Sequence, residues 1–292
     1  MKKKLKLGFV ILHYLALEMT QKCVNAILNT FNNIDIYIVI VDNASYNGSG
    51  NQLSTIFERQ KNINVILNEK NEGFARGNNI GFLFLKENFD CDYIIIMNND
   101  VIIEDEYFFD KIIETYEKVK FDILGPDIYV PSRKIHQNPV NIVADFTKKD
   151  LNKKIKTLKL LNICFPINFR IYCSYWKLKN MITPKKITKD NYYESSHINP
   201  LLHGACYIFS KKYIANHTMP FNPDTFLFFE EDILYHEAMK EGLLLYYNPE
   251  ITVNHLEDVS TNIEFKTYYQ KEKMKTKEQL KSALVFKKLM EE

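Results

Sequence analysis

The stretch Tyr93-Ile94-Ile95-Ile96-Met97-Asn98-Asn99-Asp100 places five apolar residues directly before three small polar ones. A continuous apolar run of this length predicts a strand buried on both faces, as in the interior of a parallel sheet. The polar triplet then lies at the carboxyl end of the strand, where open α/β sheets bind ligands. Asp100 there could hold a hard divalent cation through oxygen. Asn-Asn-Asp also suits a plain turn, so this stretch alone leaves both interpretations open.

The chain before this stretch alternates predicted strands and helices, an order that implies a parallel sheet. Strands are predicted over 7–12, 36–41 and 64–67, helices over 20–31 and 54–59, and a polar glycine-bearing loop over 71–79 that enters a helix reaching Leu85. Each strand is followed by polar residues, as a nucleotide site at one sheet edge requires: His13 and Tyr14, Asp42, Asn68 and Glu69, and Asp100.

Two common phosphate-binding loops are absent from the sequence. No Gly-x-Gly-x-x-Gly follows the first predicted strand, which argues against a dinucleotide oxidoreductase, and no Walker loop is present. A phosphate bound at this edge would therefore be held by a metal ion and side chains. The second half of the chain predicts a helix over 105–119, a strand fed by the loop 201–205, strands over 243–247 and 251–255, and a terminal helix over 265–292.

The charge of the chain is unevenly distributed. Overall it has 38 basic and 36 acidic residues, a net charge of +2, which gives no excess typical of nucleic-acid binding. Residues 148–190 nevertheless carry +10, against −8 for the remainder. Apolar and aromatic residues lie among these lysines. Two interpretations stay open: a solvated, partly mobile insertion, or a segment lying on an anionic membrane surface.

The cysteines and the apolar runs indicate the kind of cellular compartment in which the protein would fold. Five scattered cysteines without a Cys-x-x-Cys pair fit a reducing compartment and argue against a disulfide scaffold or a zinc site. His13 interrupts the first apolar run, so the start of the chain predicts a basic tail and a strand rather than a signal peptide. No apolar run approaches ~20 residues, so no membrane span is predicted.

Six motifs in this order and spacing resemble family 2 inverting glycosyltransferases of the GT-A fold, particularly the bacterial rhamnosyltransferase-like group. The resemblance covers roughly residues 7–104 and 200–258. Its motifs are Val41-Asp42-Asn43-Ala44-Ser45, the segment 71–79, Asn98-Asn99-Asp100, Gly204-Ala205-Cys206, Phe229-Glu230-Glu231-Asp232 and the segment from Pro249 to His255.

The resemblance implies an α/β fold of GT-A type: a Rossmann-like, mostly parallel sheet flanked by helices, with a basic insertion and a C-terminal helical tail. Residues 1–104 would form the nucleotide-sugar-binding half. Residues 105–258 would form the acceptor-binding and catalytic half, with the basic insertion at 148–190. Residues 259–292 would form the tail.

The resemblance also implies roles for individual residues. Asp42 would contact a pyrimidine base, and Arg76 and Asn79 would line the nucleotide pocket, to which we also assign His13, Tyr14 and Asn99. Asp100 corresponds to the last residue of the metal-binding Asp-x-Asp motif, and His255 to a further ligand in some relatives. The catalytic base would lie in the pair Glu231 and Asp232, with Asp232 preferred. The sugar and acceptor side would include His203, Gly204, Phe228 and Phe229.

Two departures and several structural alternatives bear on these roles. Asn98 stands where the metal motif often has aspartate, and Leu234 where relatives often have a further acid. The acids at 230–232 would also suit a helix N-terminus. His255 could be structural, and Asp42 could cap the following turn.

The chemistry requires these residue types. Mg²⁺ or Mn²⁺ would stabilise a departing diphosphate, and a carboxylate would deprotonate the acceptor hydroxyl, contributing about 10²–10⁴-fold. The implied function is transfer of a sugar from a nucleotide-diphosphate donor to a glycan acceptor in surface polysaccharide synthesis. We favour dTDP-rhamnose, or else a UDP-hexose, as donor and a lipid-linked glycan as acceptor.

These implications place the protein in the cytoplasm or peripherally at the inner membrane face, with no nucleic-acid partner expected. The alternatives are a nucleotidyltransferase, which would need a glycine-rich basic loop after the first strand, and a nucleic-acid-binding scaffold using residues 148–190.

Overall fold

A computed structural model describes residues 5–31, 34–142, 147–182, 191–257 and 267–292, with side chains throughout except at 176–182. The strands are β1 (Lys6–His13), β2 (Asp35–Asp42), β3 (Ile63–Leu67), β4 (Tyr93–Asn98), β5 (Val101–Ile102), β6 (Ile123–Val130), β7 (Ile135–His136), β8 (His197–Ile198), β9 (Cys206–Ser210) and β10 (Leu245–His255). The helices are α1 (Leu17–Thr30), α2 (Ser49–Phe57), α3 (Gly73–Asn88), α4 (Phe108–Val119), α5 (Lys148–Asn162), α6 (Phe165–Ile182), α7 (Lys211–Asn216), α8 (Glu230–Glu241) and α9 (Tyr268–Glu291).

The described strands form one mixed sheet in the order β3-β2-β1-β4-β9-β6-β10-β5, with β7 added to β6 and β8 added to β10. The first four strands are mutually parallel, as predicted. β9 pairs antiparallel with both β4 and β6, and β6 pairs parallel with β10. The sheet therefore continues without interruption from the first half of the chain into the second.

The strand β4 lies at the centre of this sheet because its side chains are apolar on both faces. All five residues from Tyr93 to Met97 are at most 6% exposed. Ile95 and Met97 belong to the core shared with α1, α2 and α4, whereas Ile94 and Ile96 belong to the core shared with α3, α7 and α8. Helices therefore cover both faces of the sheet, which is what a continuous apolar strand requires.

The segment 71–79 differs from its prediction, because it is helical from Gly73 onward. Two of its neighbouring glycines serve close packing instead of a loop. A Cβ atom at Gly77 would lie under 3 Å from a methyl group of Leu12, and one at Gly81 under 3 Å from a methyl group of Val10. Glycine at these positions lets α3 approach β1 closely, so the glycines that suggested a loop are explained by helix–sheet contact.

The basic segment forms two helices over its described part. The inner face of α5 buries Leu151, Ile155 and Leu158 in a small third core that α9 completes with Ala283 and Phe286. Residues 183–190, the end of the predicted insertion, lie outside the described residues. None of the described helices combines the length and the apolar composition needed to cross a bilayer.

Candidate active site

The carboxyl ends of the parallel strands bring the predicted polar residues to one edge. His13 lies opposite Asp42 where β1 pairs with β2, and Leu12 lies opposite Asn98 where β1 pairs with β4. Asp100 follows two residues after Asn98. The arrangement that the strand ends predicted is therefore present.

A chain of buried hydrogen bonds links β4, α1, β1 and α2 beneath this edge. Asn99 Nδ2 donates to Thr20 Oγ1 (2.9 Å), which lies 2.7 Å from His13 Nδ1. His13 Nε2 lies 2.7 Å from Ser49 Oγ, and Ser49 Oγ donates to Asn47 Oδ1 at 2.7 Å. Because Ser49 uses its proton on Asn47, it accepts from His13 Nε2–H, and Thr20 donates to His13 Nδ1.

This network gives His13 and Asn99 structural hydrogen bonds. His13 is fully buried with both ring nitrogens hydrogen-bonded, and Asn99 is 6% exposed with its amide bound to Thr20. Their assignment to the nucleotide pocket stays a prediction. Burial lowers the pKa of His13 to about 4, against the opposing attraction of Asp42. His13 is therefore neutral and positions the elements around it.

Asp42 occupies the turn that follows β2. Both carboxylate oxygens accept the backbone N–H of Ser45, at 3.3 and 3.2 Å. The first turn of α2 lies against the same carboxylate, because a Cβ atom at Gly50 would come within 3 Å of Asp42 side-chain atoms. Asp42 thus caps the turn, as the structural alternative predicted, and its contact with a pyrimidine base stays a prediction. Tyr14 lies partly exposed just beyond β1 at the same edge.

Arg76 and Asn79 lie on α3, where they bind the loop that precedes α8. Asn79 forms a reciprocal pair with the backbone of Phe221, donating to its oxygen at 2.7 Å and accepting from its nitrogen at 3.0 Å. Arg76 Nε donates to the carbonyl oxygen of Pro223 at 2.6 Å. The prediction that these side chains line the nucleotide pocket stays a prediction. Their polar groups hold this loop against α3, and the half-exposed Arg76 guanidinium also approaches Glu72.

Asp100 and His255 meet because β5 pairs with the end of β10, which places His255 opposite Val101. The distance from Asp100 Oδ1 to His255 Nε2 is 3.2 Å, and both side chains are 9% exposed. Asp100 Oδ1 is buried and accepts no hydrogen bond that the described residues supply. The two residues that the resemblance assigned to one metal site are therefore adjacent in the fold, although they are more than 150 positions apart in the sequence.

Gln137 determines the tautomer of His255. Its amide nitrogen donates to Glu257 Oε1 at 2.7 Å, so its amide oxygen is the atom that lies 2.7 Å from His255 Nδ1. That oxygen can only accept, and Nδ1 must carry the proton. A neutral His255 then directs the Nε2 lone pair at a carboxylate oxygen. A proton or a bound cation between them removes this repulsion.

The acids at 230–232 form the first turn of α8, as the helix N-terminus alternative predicted. Phe228 and Phe229 enter this helix with φ values of 73° and 66°, a left-handed conformation that is costly for bulky residues. Such strained residues concentrate at functional sites, where surrounding contacts hold them. The acids are thus positioned by a strained, fixed entry into the helix.

Glu231 is the acid that faces the loop before β9. Its Oε1 accepts the backbone N–H of Gly204 at 3.2 Å, and a Cβ atom at residue 204 would lie 2.7 Å from the same oxygen. His203 Nδ1 accepts the N–H of Ala205 at 3.1 Å, so its ring presents Nε2–H. Burial lowers the pKa of His203. The ring centres of His203 and His255 are 6.0 Å apart, so His203 lies between the two acidic groups.

The other two acids have different environments. Burial, together with the charge of Glu231, raises the pKa of Glu230 to about 8, and Glu230 Oε1 is buried without a hydrogen bond. Burial and Glu231 also raise the pKa of Asp232 to about 6, whereas Lys154 on α5 lowers it. The charge of Lys154 on α5 thus acts on Asp232, whereas Glu231 is hydrogen-bonded to the Gly204 loop.

Phe228 and Phe229 contact a packed core, and the wall of a sugar pocket that they would form stays a prediction. Phe229 is 9% exposed and packs in the core between α5, α8 and α9, with its ring centre 6.1 Å from that of Phe286. Phe228 is half-buried against the same core. Their apolar surface is used to anchor the start of α8.

The donor set at Asp100 and His255 fits a divalent cation with two protein ligands. A carboxylate oxygen and an imidazole nitrogen suit Mg²⁺ or Mn²⁺, with the imidazole favouring Mn²⁺. Within the described ranges, no three His, Cys, Asp or Glu side chains converge as a complete metal cluster. The remaining coordination positions would thus belong to substrate oxygens or water.

Several contributors to the site carry no local sequence signal. Gln137 directly follows β7, a strand of only two residues. Lys154 lies on α5, which in the sequence looks like an ordinary lysine-rich surface helix. A large groove of about 1320 Å³ lies between α1 and the start of α4 and includes none of the site residues named above. A search for the site by groove size would therefore have missed this edge of the sheet.

Comparisons with known proteins support the interpretation of the fold. The model of glycosyl transferase family 2 matches residues 9–217. The crystal structure of S. aureus TarS 1–349 is similar, with a TM-score of 0.52 and 10% identity, over 86% of this chain and 60% of the TarS chain. A structure of S. aureus TarS 1–349 in complex with UDP-GlcNAc gives a TM-score of 0.37 and 15% identity, over 45% and 37% of the two chains. No curated protein matches this chain significantly.

The family match covers well over half of the chain, and the sheet flanked by helices is that of the GT-A fold. The predicted fold class is thereby confirmed, whereas the rhamnosyltransferase-like subgroup stays a prediction. The chain spans 60% of the length of the similar TarS structure. The chain belongs to glycosyl transferase family 2.

Proposed function

We propose that this protein transfers a sugar, with inversion, from a nucleoside-diphosphate donor to a hydroxyl group of a lipid-linked glycan. The observation that carries the proposal is the pair Asp100 and His255 at the sheet edge. One buried carboxylate oxygen without a hydrogen bond faces an imidazole nitrogen whose ring is oriented by Gln137. A proton on Nε2 or a cation between the two atoms would complete such a pair, and the diphosphate of the donor is the ligand that a bound cation would attract.

Asp100 and His255 would hold Mg²⁺ or Mn²⁺, which when bound stabilises the negative charge of the departing diphosphate. Asn98 leaves Asp100 as the single carboxylate of its motif. Gln137 and Glu257 orient the imidazole through Nδ1. Partners of this kind typically contribute 10–100-fold to metal affinity.

We propose Glu231 as the catalytic base, in preference to Asp232. Glu231 contacts the Gly204 N–H on the side of His203 and Asp100, whereas Asp232 has no hydrogen bond to that loop among the described residues and feels the charge of Lys154. Glu231 would take the proton of the acceptor hydroxyl as the new bond to the anomeric carbon forms. The bond to the diphosphate breaks on the opposite face, and its electron pair leaves with the diphosphate. His203, neutral with Nε2–H, can donate a hydrogen bond to the bound substrates.

The donor and acceptor follow from the resemblance. Asp42 remains the candidate contact for a pyrimidine base, and dTDP-rhamnose is the favoured donor ahead of UDP-hexoses. UDP-GlcNAc belongs in any donor panel, because TarS has been crystallised with it. No feature of the described residues favours the nucleotidyltransferase or the nucleic-acid scaffold over this function.

The test combines donor binding with single substitutions. A thermal-shift screen of UDP, dTDP, GDP and their sugars, with and without Mn²⁺ or Mg²⁺, identifies a ligand that stabilises the folded chain. Asp100→Asn should abolish the metal-dependent part of the shift. Glu231→Gln should keep the shift and lower the rate of sugar release from the donor about 10²–10⁴-fold.

Two further variants make the result specific. Asp232→Asn should retain activity within about tenfold, because no described hydrogen bond joins its carboxylate to the Gly204 loop. Asp110→Asn, on the exposed surface of α4, serves as the matched carboxylate control. A larger loss for Asp232→Asn than for Glu231→Gln would reverse the assignment of the base. No shift with any nucleotide would contradict the proposed function.

A further inference from the structure

The outer face of α6 and the turn before it is apolar and exposed. Leu160, Ile163, Ile167 and Ile171 are 62–63% exposed, and Tyr175 on the next turn is 58% exposed. Leu160 lies near the end of α5 and Ile163 in the turn between the two helices, whereas Ile167, Ile171 and Tyr175 recur every four positions and form one stripe along α6. A helix in contact with water normally presents polar residues outward, so this stripe needs an apolar partner.

The opposite face of α6 is already occupied. Phe165 is 3% exposed, with its ring centre 5.1 Å from that of Tyr269, and Phe169 lies 6.3 Å from Tyr268 on α9. The helix is therefore fixed to the body of the protein by aromatic contacts. The exposed isoleucines cannot turn inward without breaking those contacts.

Basic residues border the apolar stripe. Residues 148–182 contain nine Lys or Arg and a single acid, Asp150. On α5, Lys149, Lys153 and Lys156 are exposed at helical spacing and lead directly to Leu160. An apolar stripe with cations along its side matches the interface of an anionic bilayer, where lysines meet headgroups and aliphatic side chains enter the acyl boundary.

We propose that this surface, formed by Lys149, Lys153, Lys156, Leu160, Ile163, Ile167 and Ile171, docks in the plane of an anionic lipid bilayer. The charge complementarity favours a bilayer over a second copy of the chain, because two such basic surfaces would repel each other. The described helices include none suited to span the membrane, so the contact is peripheral.

Docking would bring the membrane close to the candidate base. The inner face of α5 packs on Phe229 and Ile233, which flank the acids of α8. A lipid-linked acceptor could then reach Glu231 without leaving the bilayer. This last step rests on the proposed acceptor, whereas the docking itself is independent of the donor, the metal ion and the base.

The test is co-sedimentation of the full chain with vesicles of phosphatidylcholine alone or with about one-third phosphatidylglycerol, at about 0.1 M salt. The parent should bind the anionic vesicles selectively. A triple variant should lower the partition coefficient about 100-fold, because each lysine is attracted to the anionic surface. It carries Lys149→Gln, Lys153→Gln and Lys156→Gln. Ile167→Glu with Ile171→Glu should abolish binding.

Matched controls separate docking from general changes of charge and hydropathy. Lys22→Gln, Lys61→Gln and Lys118→Gln remove the same charge elsewhere, and Ile56→Glu with Ile198→Glu alters exposed isoleucines on α2 and β8. Both control sets should bind like the parent, and circular dichroism verifies the folding of every variant. Equal binding of parent and stripe variants would overturn the proposal. So would a parent dimer that Ile167→Glu and Ile171→Glu dissociate, without any vesicle binding.

Donor-induced thermal shifts of the same stripe variants should equal those of the parent. Loss of vesicle binding can therefore be distinguished from failure of the proposed transferase function.

Discussion

His13 shows how a single side chain organises the sheet edge without touching a substrate. It is neutral, fully buried, and hydrogen-bonded to Thr20 on one side and Ser49 on the other. Its neutrality is a condition of the network, because each nitrogen has one assigned role as donor or acceptor. Acid should therefore disrupt this edge before it affects the apolar core.

We predict that His13→Gln changes how stability depends on pH. The unfolded histidine binds a proton with a pKa near 6.5, whereas in the fold the pKa is about 4. Stability from this group is therefore present above about pH 6.5 and is lost as the pH falls toward 4. Between about pH 7.5 and about pH 5, the parent should lose about 2 kcal/mol more unfolding free energy than the variant. Urea denaturation at both pH values measures this difference, and a constant gap between the two proteins would contradict it.

Some residues of the site could be predicted from the sequence, but their hydrogen-bond partners could not. Asp100 could be found because a long apolar run must end at a sheet edge, and the acid follows that run directly. Gln137 could not, because its role depends on β7 pairing with β6, the strand next to β10, an arrangement that no local pattern records. The same holds for His13, whose place at a strand end suggested a ligand contact although its depth made it structural.

At the scale of elements, α2 shows how the position of a helix sets the position of a functional carboxylate. The helix is preceded by Gly48 in a left-handed conformation, and its second residue, Gly50, contacts Asp42. A side chain at position 50 would need space that the Asp42 carboxylate already fills. Glycine here serves close approach, at the cost of helix propensity.

We predict that Gly50→Ala destabilises the protein by about 1–3 kcal/mol, through overpacking against Asp42. Alanine at an unhindered helix position would instead stabilise by about 1 kcal/mol. The matched control is Asn51→Ala, on the exposed side of the same turn, which should be neutral or slightly stabilising. Thermal melting compares the two variants, and titration with the identified nucleotide should show weaker binding only for Gly50→Ala. A stabilised Gly50→Ala variant would exclude the proposed contact.

Elements with one clear periodicity were predictable, and elements defined by non-local pairing were not. The apolar runs of β1, β2 and β4 indicated parallel strands correctly. β6 contains Pro126, a residue that usually argues against a central strand. It is tolerated here beside the irregularity of β10 between Asn248 and Thr252, where the ladder is already interrupted. The antiparallel direction of β9 likewise follows from its neighbours and not from its own residues.

At the scale of the molecule, the C-terminal helix α9 contacts the segment that leads into the acidic first turn of α8. Ser282 on α9 donates a hydrogen bond to the carbonyl oxygen of Leu227 at 2.9 Å, and Phe286 packs on Phe229. These contacts hold the two residues that enter α8 in a left-handed conformation. The acidic turn, the basic helix α5 and the C-terminal helix thus form one packed unit.

We predict that Ser282→Ala costs about 1 kcal/mol of stability, because it removes the hydrogen bond that the part-buried Leu227 carbonyl accepts from the Ser282 hydroxyl. Since that carbonyl precedes the strained entry into α8, kcat should fall while the donor-induced thermal shift is retained. Leu284→Ala, at an exposed position of α9, is the matched control and should leave kcat unchanged. An unchanged kcat for Ser282→Ala would contradict the prediction that this contact of the C-terminal helix affects catalysis.

The position of β9 in the sheet has a consequence for synthesis of the protein. β4 and β6 are complete when residue 130 leaves the ribosome, yet the strand that joins them spans Cys206–Ser210. At about 5–20 residues per second, the nascent chain carries two unpaired strand edges for several seconds. Such edges pair readily with those of other chains. Production of this protein should therefore depend on chaperones that shield these edges until residue 210 has emerged.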